Sequence, residues 1–322
     1  MSTPELEFRP RPLSRRTWIG LGIVAIGVGI LYAIVAYFYN TEGGLTVVDT
    51  ASAEVNGPVI QVDPLSVNAQ ANLAEIQLTF VPTGDLFDPD EHLSENVRIV
   101  VDSGSGNKEF RFPAGSVPSA QNATVALGGE LSQYPFDTHT GMVFVTVDTY
   151  TKNSDGSIAS KQIYIPDLSV ITGVNGWDTV AERSNTAAAA YVGFTFSRAF
   201  STQAFAIMLL ALAVMLAIAT VVVAFLVTTQ RRKAEIGLMS WTAALLFALP
   251  ALRTFMPNSP PIGAAIDMYV YLWVMAGAIA AAIIMIGSWV RQSGRMLSAD
   301  PTAHSGGVPK IPDAPSADVS GD

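Results

Sequence analysis

The 322-residue sequence predicts a membrane protein of α+β class, an extracytoplasmic antiparallel β-sandwich held by four transmembrane helices, one before it and three after. Three observations predict it. Half of the residues are hydrophobic and only 14% are charged, against about 25% charged in an ordinary soluble domain. The hydrophobicity is segregated into four long uncharged runs. Residues 41–199, between the first two runs, instead show short β-branched and aromatic stretches separated by turn signals, an all-β pattern.

The runs are Trp18 to Tyr39, Ala204 to Val227, Ile236 to Leu252 and Met268 to Val290, of 22, 24, 17 and 23 residues. A helix rises about 1.5 Å per residue, so runs near this length cross a hydrocarbon core of about 30 Å, the third with help from its flanks. Their direction follows from basic clusters, which stay cytoplasmic. Arg9, Arg11, Arg15 and Arg16 precede the first run, Arg231, Arg232 and Lys233 separate the second and third, and Arg291 and Arg295 follow the fourth. Both termini are therefore expected inside. Ala51-Ser52-Ala53 looks like a signal-peptide cleavage site, but the first run is long for a signal peptide, ends in the interfacial anchor Tyr37-Phe38-Tyr39, and lies well upstream of that site. A signal anchor is the expectation.

In chain order the expected parts are a basic cytoplasmic N-terminus (1–17), the anchor helix (18–39), the β-sandwich (40–200), a second span (201–229), a basic cytoplasmic loop (230–235), a third span (236–255), a Pro-rich external loop (256–266), a fourth span (267–290) and a cytoplasmic disordered tail (291–322). Ile76, Leu78 and Phe80 alternate with polar residues, and Met142 to Thr151 places Val143, Val145 and Val147 on one face. Asn153-Ser154-Asp155-Gly156 should turn that strand into Ser157 to Pro166, and Ser103 to Asn107 should join Arg98–Asp102 to Glu109–Phe112. Seven to ten strands are expected. The sequence has no cysteine, so the sandwich must be held by burial alone.

Residues 41–199 hold 19 acids and 7 bases, a net of 7 − 19 = −12, and the rest of the chain is 11 − 8 = +3. Such an acidic surface disfavours nucleic acid as a partner; the lipid bilayer and a protein partner or second copy are the partners expected. The motifs of enzymes are missing. With no Cys and three His, of which His304 lies in the tail and His92 and His139 are expected in loops, no hydrolytic triad, zinc helix or phosphate loop can be drawn. No catalysis and no cofactor are expected. Asp85, Asp88 and Asp90, with Glu91 and His92, crowd one loop and form a calcium candidate, although the pattern lacks the glycine and terminal Glu of a known calcium loop. Tyr134-Pro135-Phe136-Asp137 reads as a turn anchor, and Arg253 and Asp267 stand at the two edges of the external loop, placed to form an ion pair.

Tyr134 to Asp137 with its following strand, and the run from Phe247-Ala248-Leu249-Pro250 through Arg253, Pro260-Pro261-Ile262-Gly263 and Asp267 to Trp273, resemble an actinobacterial membrane-protein family catalogued as domain of unknown function 4436. That resemblance implies a cell-envelope location and brings no activity. Low lysine and abundant Ala, Val and Asp agree with a high-GC source. The aromatic-Pro-aromatic-Asp turn and the order of helices are also similar to pentameric ligand-gated ion channels. That likeness implies that the third helix lines a path, with Glu235 at its cytoplasmic mouth and Thr242 and Leu249, seven and fourteen residues on, along the same face. The sequence departs from the channels in its extra N-terminal helix, its missing last helix and the bulky Trp241 beside the path. The sequence-level expectation is a non-enzymatic binding or assembly scaffold presenting a β-sandwich, with a channel or transporter component as the alternative.

Overall fold

The computed structural model describes residues 44–49, 55–171, 173–186, 189–233, 235–258 and 260–298, together with scattered positions between 19 and 40. Half of the first apolar run, and the tail from residue 299 with His304, fall outside the described residues.

Among the described residues twelve strands build the β-domain, in the order β1 Leu45–Asp49, β2 Val59–Asn68, β3 Leu73–Val81, β4 Val97–Asp102, β5 Asn107–Phe112, β6 Gln121–Ala126, β7 Gly128–Gly129, β8 Thr138–Lys152, β9 Ile158–Tyr164, β10 Asp167–Ser169, β11 Trp177–Asn185 and β12 Ala190–Arg198. They form two sheets. The larger runs β1-β11-β12-β8-β4-β5, with β7 and β9 also on β8, and the smaller runs β10-β2-β3-β6. Both expected hairpins form, β4 on β5 and β8 on β9, the latter through a turn with Gly156 at φ +85. Two features depart from expectation. The strand count exceeds ten because β1, β7 and β10 are short additions. The domain is also not wholly antiparallel, since β1 joins β11 and β10 joins β2 in parallel register, and pairings between strands so distant in the chain leave no local signature.

Alternation builds the core. Ile60 and Val62, Ile76 and Leu78, Val97, Ile99 and Val101, Val143, Val145 and Val147, and Val192, Phe194 and Phe196 are all essentially inaccessible to solvent. In β8 the alternation breaks at Asp148, where three successive residues are buried. Asp148 sits directly opposite Arg98 and accepts its Nε at 2.8 Å, so the carboxylate is buried only with its partner.

Three helices follow: α1 Phe200–Thr228, α2 Ile236–Thr254 with Pro250 inside it, and α3 Leu272–Ser298, preceded by one π-helical turn at Asp267–Tyr271. The segments Phe200–Thr228, Ile236–Thr254 and Asp267–Gln292 are each long and apolar enough to cross a membrane. The chain divides into two compact units: the β-domain with the first half of α1 and the α2–α3 connection, and the remaining helical segments. In the second unit Ala224, Ala281 and Met285 pack with Val223, Leu238 and Met239.

Candidate functional site

The most unusual environment in the first unit lies where the β-domain becomes helix, and the register of the strands dictates it. Along β12 burial alternates without a break, so Ala190, Val192, Phe194, Phe196 and then Arg198 all point inward. Trp177 of β11 pairs with Arg198 on one side. On the other, Phe196 pairs with His139 of β8, which brings Asp137, just before β8, level with Arg198. One inward row therefore carries an aromatic ring, a guanidinium and a carboxylate.

Asp137 takes both arms of the guanidinium, with Arg198 Nε at 3.0 Å from Oδ1 and Nη2 at 3.0 Å from Oδ2. His139 Nε2 lies 2.8 Å from the same Oδ2. Arg198 Cζ stands 4.1 Å from the centre of the Trp177 ring and 5.1 Å from that of Tyr134. Among the described residues Arg198 Nη1 finds no hydrogen-bond acceptor, so the cation is completed by two aromatic faces, a contact worth up to about 2 kcal/mol when desolvated. Asp137, His139 and Arg198 are 1%, 0% and 2% exposed. Burial pushes the Asp137 carboxyl up, but the hydrogen bonds from His139 and Arg198, with the charge of Arg198, outweigh it and hold the group below its ordinary value. Burial also raises the Tyr134 phenol to about 12, against the pull of Arg198.

The row continues into the helices. Ala199 N–H and the Thr202 hydroxyl donate to the Gly176 carbonyl at 3.1 and 3.2 Å, and Gln203 Nε2 donates to the Arg198 carbonyl at 3.0 Å. Gly176 holds φ +78, and an added Cβ there would meet the Thr202 hydroxyl at 3.1 Å. On the other face, Tyr134 packs with Ala206, Leu209, Met256 and Ala264 and donates its hydroxyl to the Pro257 carbonyl at 3.0 Å. The Tyr134–Pro135 bond is cis. Gln70, in the turn after β2, donates to the Asn258 carbonyl at 3.3 Å. The connection that these groups grip is itself closed by the expected ion pair. Arg253 Nε and Nη2 reach Asp267 at 3.1 and 2.8 Å, Nη2 also reaches the Pro261 carbonyl, and Gly263 N–H donates to Asp267 at 3.0 Å.

The structure thus brings Tyr134, Asp137, Arg253 and Asp267 into one compact unit and adds Arg198, His139 and Trp177, which sequence reasoning passed over. His139 lies in β8, not in a loop. The signal was parity: Arg198 is in step with Phe194 and Phe196, and His139 with Val143 and Val145. An inward charge at the end of a strand requires a counter-ion.

The other candidates behave differently. Asp88 Oδ1 accepts the backbone N–H of Asp90 and of His92 at 3.0 and 2.8 Å, a turn-capping role. Among the described residues no three His, Asp or Glu groups converge as metal ligands, so Asp85, Asp88 and Asp90 are not gathered around a common centre. The three residues of the expected path face on α2 differ in their surroundings. Glu235 is exposed and precedes the helix, its carbonyl accepting Leu238 N–H at 3.1 Å. Thr242 and Leu249 are 2% and 0% exposed. The Thr242 hydroxyl donates to the Leu238 carbonyl and lies 3.5 Å from Met285 Sδ, so Thr242 and Leu249 face protein within the single chain, and Thr242 borders a recess lined also by Met239, Ala243 and Leu246. A polar recess in the β-domain is lined by Asp49, Asp167, Arg183, Ser184 and Asn185, with Arg183 tied to Asp49 and to the Leu168 carbonyl.

Residues 48–196 match the family described as Domain of unknown function (DUF4436), and residues 198–292 match a second, Domain of unknown function (DUF8686). The first supports the resemblance drawn from the sequence. Neither spans half of the chain, and the two meet at the joint, with Asp137 and Trp177 in one and Arg198 in the other. No curated protein matches the chain.

Removing one partner of a buried ion pair strands the other charge, at a cost of about 3–5 kcal/mol. Asp137→Asn and Arg198→Met should each lower the denaturation midpoint of the full chain in detergent, and the double variant should lose clearly less than the sum. Because the Asp137 carboxyl is held below the ordinary 3.8, its contribution is complete above that value and is lost as pH falls through the folded value. An acid titration of unfolding should show that loss in the wild type and not in Asp137→Asn.

Proposed function

We propose that this chain is a non-enzymatic scaffold of the cell envelope, inserted in the plasma membrane with both termini cytoplasmic, which presents its β-domain outside for binding or assembly. The observation that carries this reading is the sealed joint. A histidine hydrogen-bonded to a carboxylate is the geometry of an acid–base pair, but His139 and Asp137 have no exposed face with which to meet a solute. Their chemistry is spent on holding Arg198, and with it the strand that runs into α1. A domain gripped through Arg198, Tyr134 and Gln70 is fixed to the start of α1 and to the α2–α3 connection, which suits display or transmission and not free diffusion on a linker. The acidity of residues 41–199 favours a partner with a basic surface.

A second reading, a channel or transporter component, is favoured by one observation. The Tyr134–Asp137 turn bonds directly to the connection between α2 and α3, so a ligand-driven shift in the β-domain has a mechanical route to the helices. The burial of Thr242 and Leu249 argues against the particular path proposed from the sequence.

Alkaline phosphatase fused after Asp155 should be active and one fused after Arg232 inactive; the reverse would contradict the orientation. Crosslinking in native membranes followed by mass spectrometry should recover a stoichiometric partner. A closed ring of this chain alone would favour the second reading, and monomer alone would contradict both.

A further inference from the structure

The joint leaves four large apolar side chains of the first unit exposed in its turn and in the α2–α3 connection. Phe136, at the tip of the turn whose Tyr134 and Asp137 are buried, is 61% exposed, Phe255 is 70%, Ile262 is 97% and Tyr269 is 80%. The charged groups of the joint, Arg198, Asp137, Arg253 and Asp267, are folded inward onto one another. These four stand outward beside the exposed polar residues Gln133, Thr254 and Asn258.

Their height follows from the helix that the turn touches. A span occupies about 20 residues of helix. Counted back from Val227, the last residue of the second apolar run, that length places the hydrocarbon boundary on the β-domain's side within Ala206 to Leu209. Both residues, with Leu210, belong to the cluster in which Tyr134 packs against α1. Phe136 follows Tyr134 by two residues, and Ile262 precedes Ala264, another neighbour of Tyr134, by two. Both are therefore within two residues of groups that pack at the boundary, near the zone where amphipathic and aromatic side chains concentrate.

We propose that the Tyr134–Asp137 turn and the α2–α3 connection form a lipid-binding collar, in which Phe136 and Ile262 insert into the acyl–headgroup boundary of the outer leaflet and seat the β-domain on the bilayer. The proposal rests on the reading of α1 to α3 as membrane spans. Insertion at this point makes the joint sensitive to the packing of that leaflet, because the inserted ring and the buried carboxylate are neighbours in one turn.

The chain has no native cysteine, so single cysteines carrying a nitroxide report directly. Phe136→Cys and Ile262→Cys are to be compared in proteoliposomes of phosphatidylcholine and phosphatidylglycerol with two references. Ile163→Cys lies on β9, 55% exposed and many residues along β8 from the joint, and Ile218→Cys lies within α1, 58% exposed. Collision with oxygen, enriched in lipid, and with a water-soluble nickel chelate should place positions 136 and 262 at the interface, between Ile163 in water and Ile218 in hydrocarbon. Nickel access equal to that at Ile163 would overturn the proposal while leaving the spans intact. Exclusion of both relaxers with spin–spin broadening would overturn it in favour of a second copy of this chain. Nickel access at Ile218 would remove the membrane reading, and the collar with it.

Discussion

A guanidinium buried to within 2% of complete exclusion from water is the constraint on which this structure depends. Five fixed donors and a full charge make a buried guanidinium costly unless it is paired, so the burial of Arg198 demands a carboxylate with matched geometry. Asp137 supplies it through two parallel contacts. To do so the turn before β8 must lie level with the end of β12, which fixes the register of the central strands. His139 then takes the remaining side of Asp137, and Trp177 and Tyr134 close the faces of the cation. The inward row is thus set by one charge, and the helix that begins two residues later inherits its position from it.

The same residues explain why the connection between α2 and α3 is held to the β-domain. Tyr134 is buried on one side against Arg198 and on the other against Ala206, Leu209, Met256 and Ala264, and its hydroxyl can satisfy itself only by reaching the Pro257 carbonyl. The Arg253–Asp267 pair stiffens what it reaches, because Asp267 also caps Gly263 N–H and Arg253 also binds the Pro261 carbonyl. Two ion pairs, one sealed from water and one with 12% of each side chain exposed, bridged by one tyrosine, make a stiff coupling out of segments that would otherwise be loops.

Much of this was legible in the sequence, for reasons that can be named. Uncharged runs longer than 16 residues announce helices because length and hydrophobicity act together, and the alternation around Ile76 and Val145 announces strands because one face is buried. Tyr134 to Asp137 and the Arg253–Asp267 pair stood out by composition. The parallel pairings of β1 and β10 were hidden because they join segments more than a hundred residues apart. His139 was placed in a loop because Pro135 four residues earlier masks the start of β8. Arg198 was passed over although its parity with Phe194 and Phe196 put it in the core; a charge beside a membrane span is ordinarily taken for a solvated flank, and here the strand's period overrides that habit.

Hydrogen–deuterium exchange of the full chain in lipid nanodiscs, wild type against Asp137→Asn, tests most directly whether the buried pair holds the β-domain to the start of α1 and to the α2–α3 connection. The amides of Ala199 and Gln203 and of Gly263 to Asp267 should exchange faster in the variant, while those of β4, bonded between β5 and β8, keep their protection. Unchanged exchange at the joint, or an equal loss of protection across β4, would contradict the account.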